Sequence, residues 1–144
     1  MAYCTLDDLK DQISEDELIQ LTDDEGAGSV DMEKIDGAIA SADALIDGYC
    51  GKHFSVPFSP TPAIIRDFSV IISIYKLFAR RQGAPEDRRT RYKDTVDFLK
   101  GVAKGENTLG VQPVPDPPGE DDYTGAGQFD TRDKMFDADT MSKY

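Results

Sequence analysis

The sequence predicts an all-α fold, a small helical bundle of about four to five helices followed by a long extended C-terminal arm. Apolar residues recur at helical spacing through residues 1–105. Residues that favour helix starts precede these segments. The periodicity ends at Gly105, beyond which the chain is rich in Pro, Gly and Asp. We therefore assign residues 1–105 to a helical domain and residues 106–144 to the arm.

Two short helices are expected near the N-terminus. Thr5 is the expected N-cap of the first, in which Leu9 and Ile13 belong to one apolar face. Ser14 is expected to cap the second helix, because Ser14 and Glu17 have the spacing of a capping box. The chain should bend at Ser14, between the two helices.

A longer third helix is expected to begin after Asp31 and to end at Gly51, a candidate left-handed C′ residue. Small residues give this helix faces that permit close approach of another helix. They are Ala38, Ala40, Ser41, Ala42 and Ala44. The Pro-rich segment that follows should be an ordered, extended connection held in place by Phe54 and Phe58.

The fourth helix is predicted over residues 62–82, with Pro62 at its first position. Its apolar residues cover most of the circumference, which is typical of a helix buried centrally or shared between subunits. A fifth helix is predicted over residues 86–103. Its inward residues should be Tyr92, Val96, Leu99 and Val102, and its outward residues Arg88, Arg89, Arg91 and Lys93.

Charge is unevenly distributed along the 144 residues, whose formal net charge is −12. Residues 1–60 have a net charge of −11, residues 61–105 of +5, and residues 106–144 of −6. Binding to nucleic acid phosphates over most of the surface is therefore disfavoured, because such binding depends on Lys and Arg. The polarity favours self-association, in which a basic face of one copy meets an acidic face of the next. No apolar run is long enough to predict a membrane span.

The residues of catalytic and metal sites do not form recognisable constellations. His53 is the only histidine, so neither a zinc site nor a nucleophile–histidine pair is supported. Adjacent carboxylates such as Asp7 and Asp8 lie in predicted helix starts or loops, where capping and solvation explain them. Cys4 and Cys50 are far apart and are expected to be reduced. We predict no enzyme activity and no cofactor.

A basic patch is the first candidate interaction site. It consists of Arg80, Arg81, Arg88, Arg89, Arg91 and Lys93. Its few aromatic residues argue against a site for nucleic acid. The charge polarity favours a docking face for an acidic neighbour, and a simply solvated helix face is the alternative.

Four apolar residues near the end of the arm form the second candidate site. They are Phe129, Met135, Phe136 and Met141. The arm alone has too little apolar surface to fold, so we interpret these residues as anchors that bind another protein.

The order of three segments resembles a known family. They are "MAYCTLDDLKDQISEDELIQLTDDEG", "IDGAIASADALIDGYCGKHFSVPF" and "PAIIRDFSVIISIYKLFARR". Together they resemble the phage Mu-type head–tail adaptor family, over about residues 1–110. Cys50 and His53 depart from the family pattern, which often has Leu and Arg there.

The resemblance implies a helical virion protein of a tailed phage, assembled in the bacterial host cytoplasm and located in the virion neck. Copies would form a ring, expected to be twelve-fold, beneath the portal protein. A tail terminator or another neck protein would be a further partner. DNA would pass through the lumen without sequence-specific binding, and no membrane is involved.

Two other functions are considered. The acidic charge suggests a DNA-mimicking regulator that binds a basic host protein, which should be a monomer or dimer that titrates a DNA-binding protein. A small hydrolase built on a carboxylate pair has less support, because a pocket that separates the two pKa values cannot be inferred from the sequence.

Overall fold

The computed structural model describes residues 2–81 and 83–113, which form five helices and no strand. The helices are α1 (Leu6–Lys10), α2 (Glu15–Thr22), α3 (Met32–Cys50), α4 (Ala63–Ala79) and α5 (Glu86–Ala103). The predicted all-α bundle is confirmed. The predicted extended arm lies outside the described residues from position 114 onward. In the described ranges no helix combines the length and the apolar character needed to cross a bilayer.

The first three helices begin at the residues that the sequence indicates. The Thr5 hydroxyl accepts a hydrogen bond from the Asp8 backbone N–H, and the Asp8 carboxylate accepts one from the Thr5 N–H, which completes a capping box. Ser14 caps α2 by accepting from the Glu17 N–H at 3.2 Å. Asp31 caps α3 by accepting from Glu33 at 3.0 Å.

Helix α4 is the centre of the bundle, because it packs against each of the other four helices. Pro62 occupies its N-cap instead of the predicted first helical position, and the helix ends at Ala79 instead of residue 82. The predicted burial of α4 is confirmed around most of its circumference. The buried residues are Ile65, Ser69, Val70, Ile72, Ser73, Ile74, Leu77 and Phe78.

The core consists of two apolar clusters, both of which include residues of α3 and α4. One joins α1 and α2 to α3 and α4, with Leu9, Leu18 and Ile35 fully buried. The other joins α5 and the connection before α4 to the same two helices. Burial of such side chains stabilises a fold by about 1.5–3 kcal/mol each.

The connection between α3 and α4 is held as predicted, because Phe54 and Phe58 are only 6% and 7% exposed. It runs through turns and bends, however, and not as one extended segment. Gly51 is also not the predicted left-handed stop. Its φ of −64° is right-handed, and an added Cβ would lie 2.9 Å from the Asp47 carbonyl oxygen. Close approach of backbone therefore explains this glycine.

Helix α5 ends at Gly105 as the sequence indicates. Gly105 has φ +82°, its N–H donates to the Val102 carbonyl, and the Glu106 N–H donates to the Gly101 carbonyl. This is the Schellman arrangement, in which a left-handed residue lets two N–H groups satisfy the last carbonyls of a helix. The chain then turns back, and Leu109 is buried in the core.

Both cysteines are free and buried, and Cys50 lies at the end of α3. Burial raises the pKa of Cys4, and burial together with the Asp47 charge raises the pKa of Cys50 to about 11. The thiolate is the reactive form of cysteine, so both side chains are poor nucleophiles at neutral pH.

We expect Gly48→Ala to raise the free energy of unfolding by about 1 kcal/mol, because alanine is the better helix former. Gly48 lies within α3, and a Cβ there would meet nothing within 4 Å. Gly37→Ala should behave in the same way. Urea denaturation monitored by circular dichroism measures both effects.

Gly101→Ala is the matched control within α5. A Cβ at Gly101 would collide with the Asn107 side-chain nitrogen, which donates to the Phe98 carbonyl. Loss of that hydrogen bond should destabilise the fold by about 1 kcal/mol. Equal effects at Gly48 and Gly101 would contradict this account of the glycines.

Candidate interaction surface

The structure divides the six predicted basic residues among three environments. Arg80 and Arg81 follow α4 and hold the loop after α2. Arg80 donates to the Leu21 carbonyl and to the Asp24 carboxylate, each at 2.6 Å. Arg81 donates to the other Asp24 oxygen at 3.0 Å and to the Asp23 carbonyl at 3.1 Å. These two guanidinium groups therefore have acidic partners within their own chain.

The loop that they hold is itself well satisfied in hydrogen bonds. The Asp23 carboxylate accepts from the Ala27 N–H at 2.9 Å and from the Gly28 N–H at 2.6 Å, and these bonds lower the Asp23 pKa. The pKa of Asp24 is lowered chiefly by its hydrogen bond from Arg80. The loop is thus a structural element whose carboxylates are bonded within the chain.

Arg88 and Arg91 face the N-terminal helices. Arg88 donates to the Gln12 carbonyl at 3.2 Å. Arg91 lines a groove of about 350 Å³ between α1, α4 and α5, together with Arg66 and the carboxylates of Asp8, Asp11 and Asp67. The charges in this groove are mixed, so it favours neither an anion nor a cation.

Arg89 and Lys93 point outward from α5, and neither forms a salt bridge with any residue that the structure describes. Lys100 and Lys104 continue the same line, because residues at i, i+4, i+11 and i+15 share one face of a helix. These four residues form the α5 basic stripe. Asp97 lies beside it. Sequence reasoning missed Lys100 and Lys104, although their spacing from Lys93 was a sufficient signal.

A line of carboxylates, opposite in charge to the α5 basic stripe, runs along α3. Glu33, Asp36, Asp43 and Asp47 form this α3 acidic stripe, and none of them is in a salt bridge within the described ranges. The last three border a groove of about 410 Å³ whose remaining lining is Ala2, Ile39, Ala40 and Ala44. This groove contains no basic side chain.

Tyr3 is the centre of a buried polar network that fixes the N-terminus. Its hydroxyl donates to Asp47 and accepts from the Phe58 N–H at 3.0 Å, and its own N–H donates to Asp43 at 3.0 Å. The Ser69 hydroxyl donates to the other Asp43 oxygen at 2.7 Å. One tyrosine thus links the N-terminus, α3, the connection and, through Asp43, α4.

Burial and the bond to Asp47 raise the pKa of Tyr3 above its usual value. The sequence singled out Tyr3 only as part of the family resemblance, not for this role.

Two half-buried aromatic pairs join α4 to α5. Tyr75 and Tyr92 stack with ring centroids 3.9 Å apart and planes 9° apart. Phe68 and Phe98 meet edge to face at 5.4 Å. Such pairs contribute about 0.5–1.5 kcal/mol beyond the area that they bury. The predicted inward face of α5 is confirmed at Leu99 and Val102, which are fully buried.

His53 has a structural contact. The His53 Nε2 lies 3.1 Å from the Ala103 carbonyl oxygen, so this ring joins the connection to the end of α5. In residues 2–81 and 83–113, no group of three or more His, Cys, Asp or Glu side chains is placed to hold a metal ion. The arm residues Phe129, Met135, Phe136 and Met141 lie outside the described residues.

We expect Tyr3→Phe to lower the free energy of unfolding by about 1–3 kcal/mol, because the buried Phe58 N–H loses its acceptor. The raised pKa adds a pH signature. The folded state holds the Tyr3 proton more tightly than the unfolded state, so this stabilisation is complete below about pH 10 and is lost as the pH rises further.

Chemical denaturation at a series of pH values measures both effects. The phenylalanine variant should lose less stability above pH 10 than the wild-type chain. Tyr75→Phe, in the half-buried pair with Tyr92, is the control. If the free energy of unfolding of Tyr3→Phe fell above pH 10 as steeply as that of the wild-type chain, the role of the Tyr3 proton would be contradicted.

Arg80→Ala should raise the pKa of Asp24 toward the ordinary value for aspartate, because the largest cause of its depression is removed. The sign follows from linkage. A carboxyl with a depressed folded-state pKa stabilises the fold above its unfolded pKa of about 4, and this contribution disappears as the pH falls through the folded value. Carboxyl titration by NMR measures the shift, and the Asp23 pKa, set by backbone N–H groups, is the internal control.

Comparison with known proteins gives a consistent result. The family described as "Bacteriophage Mu, Gp36" matches residues 3–125. Gene product J of Escherichia phage Mu is 30% identical over 125 residues, which cover 84% of this chain and 86% of that protein. The Mu-like prophage FluMu protein gp36 of Haemophilus influenzae is 33% identical over 85 residues, which span only 59% of each chain. The chain belongs to the bacteriophage Mu Gp36 family.

Proposed function

We propose that the chain is a head–tail adaptor of a tailed phage, which forms a ring beneath the portal protein, joins the head to the tail and lets DNA pass through its lumen. The observation that carries the proposal is the family match over residues 3–125, which makes the chain a phage virion or morphogenesis protein. The resemblance of the three sequence segments to head–tail adaptors gives the narrower role, the neck location and the expected twelve copies.

The charges of the described residues support a role in assembly. Acidic and basic side chains form separate stripes on α3 and α5 instead of pairing with each other within the chain. Complementary charges on different faces favour repeated association of identical copies. An overall charge of −12 would also prevent DNA from adhering to the lumen, because adhesion needs basic residues at the phosphates.

The arm would supply the contact with the portal, a tail terminator or another neck protein. The last buried side chain of the described residues is Leu109, so the bundle includes the first residues of the predicted arm. The predicted anchors Phe129, Met135, Phe136 and Met141 then carry the binding, because an acidic segment with few apolar residues gains affinity mainly from those residues.

Deletion of the gene should give separate heads and tails and no infectious particles, as seen by electron microscopy of lysates. Supplying the chain in trans should restore joined particles in which it is found at the neck. Joined, infectious particles in its absence would refute the adaptor role. A DNA-mimicking regulator would instead leave particle structure intact and titrate a DNA-binding host protein.

Truncation after Gly110 tests the arm separately. We expect a domain with unchanged helicity that fails to join heads to tails, because Leu109 and the Gly105 turn are retained. A full-length chain in which Phe129, Met135, Phe136 and Met141 are replaced by serine is the matched control for arm length. Normal joining by both variants would exclude the anchor role of the arm.

A further inference from the structure

Helix α3 contains two glycines that the fold of the single chain does not require. Gly37 and Gly48 are exposed, lie within the helix, and would contact nothing within 4 Å if they carried a Cβ. Neither has the left-handed φ that favours glycine. Glycine within a helix is destabilising relative to alanine. At an exposed position, a glycine provides room for the backbone of another helix.

The surface between the two glycines is equally open. Ala40, Ser41 and Ala44 are exposed there, so no side chain longer than serine projects over about three turns. We call these five residues the α3 open face. The separation of two packed helix axes is set by the side chains at their contact. The α3 open face therefore suits another helix at close range.

The α3 open face has one acidic edge and one basic edge. The α3 acidic stripe runs along the first, where a groove contains three carboxylates and no basic group. The groove on the other edge, which Gly37 and Ser41 also line, contains Lys34, Lys76 and Arg80. A partner helix with basic side chains fits the acidic edge. Asp43 and Asp47 accept hydrogen bonds only from uncharged donors. A docking helix should therefore bring basic side chains at a matching spacing.

The α5 basic stripe has that spacing. The four acidic residues of α3 are separated by 3, 7 and 4 positions, and the four basic residues of α5 by 4, 7 and 4. Both stripes are about 21–22 Å long at 1.5 Å per residue. Either direction of pairing brings each carboxylate within about one residue of a basic side chain.

The two stripes of one chain cannot satisfy each other. Helix α3 packs against its own α5 through its buried side, where Ile46, Leu99 and Val102 belong to one cluster. The α3 open face lies on the opposite side of the helix. The contact must therefore join two copies through different surfaces, which is the heterologous type of contact that forms a ring when its rotation closes.

We propose that α5 of a second copy docks across the α3 open face, with its basic stripe beside the α3 acidic stripe. That the copies meet in the neck of a phage particle rests on the proposed function. That these two faces pair rests on the structure of the chain.

Cross-linking in assembled particles tests this contact. Particles from the gene deletion are complemented with a full-length chain that carries both Ala40→Cys and Asp97→Cys, near the middle of the two stripes. A bismaleimide spanning the about 8–10 Å between packed helix axes is then added. We expect a ladder of covalent multimers. The buried native Cys4 and Cys50 should not react.

Three controls make the result decisive. Either cysteine alone should give no multimers, and Ala40→Cys combined with Gln20→Cys on α2 should give none.

Joined, infectious particles without a ladder would overturn the proposed contact and leave the adaptor function standing. Dimers from Ala40→Cys alone would show that α3 meets α3, which also overturns it. Joined particles from the uncomplemented deletion would instead refute the adaptor function.

Charge reversal provides a second test that does not depend on cysteine chemistry. Glu33→Lys with Asp36→Lys, and Lys100→Glu with Lys104→Glu, should each lower the yield of joined particles by at least about tenfold, which corresponds to a loss of about 1.4 kcal/mol. A chain with all four reversals should recover, because complementarity is restored. Circular dichroism establishes that each variant is folded. Normal yield from both double variants, or no recovery in the quadruple variant, would contradict the proposal.

Discussion

Burial of α4 is the constraint on which the rest of the structure depends. This helix is apolar around most of its circumference, so a single neighbour could not remove it from water. The chain surrounds it with the other four helices, and both core clusters draw on its side chains. The outward faces of α3 and α5 stay exposed.

Within this arrangement, polar bonds determine the positions of the segments that have little apolar surface. Tyr3 holds the N-terminus on α3, and Arg80 holds the loop after α2. Tyr3 and Arg80 bond to charged groups or to buried backbone groups. Leaving such a group without its hydrogen bond is costly. The bundle can therefore hold segments of low apolar content in one defined conformation.

Much of the fold could be predicted from the sequence because its signals are local. The caps at Thr5, Ser14 and Asp31 and the stop at Gly105 depend only on residues within one or two turns. The interaction surface was less accessible. Arg80 meets Asp24 across 56 positions, so the basic cluster in the sequence is divided in space by partners that no local pattern reveals. Gly51 was misinterpreted for a different reason, because the residue type alone does not give the sign of φ, and its close neighbour is the Asp47 carbonyl one turn earlier.

The buried thiols have a consequence for the lifetime of the protein. A thiol with a pKa of about 11 is ionised in only about one molecule in ten thousand at pH 7, so Cys50 reacts slowly with oxidants and disulfides. Cys4 is shielded in the same way beneath Ser69. A phage protein is made in a reducing cytoplasm but persists outside the cell, where exposed thiols become oxidised. Both thiols are thus shielded in either environment.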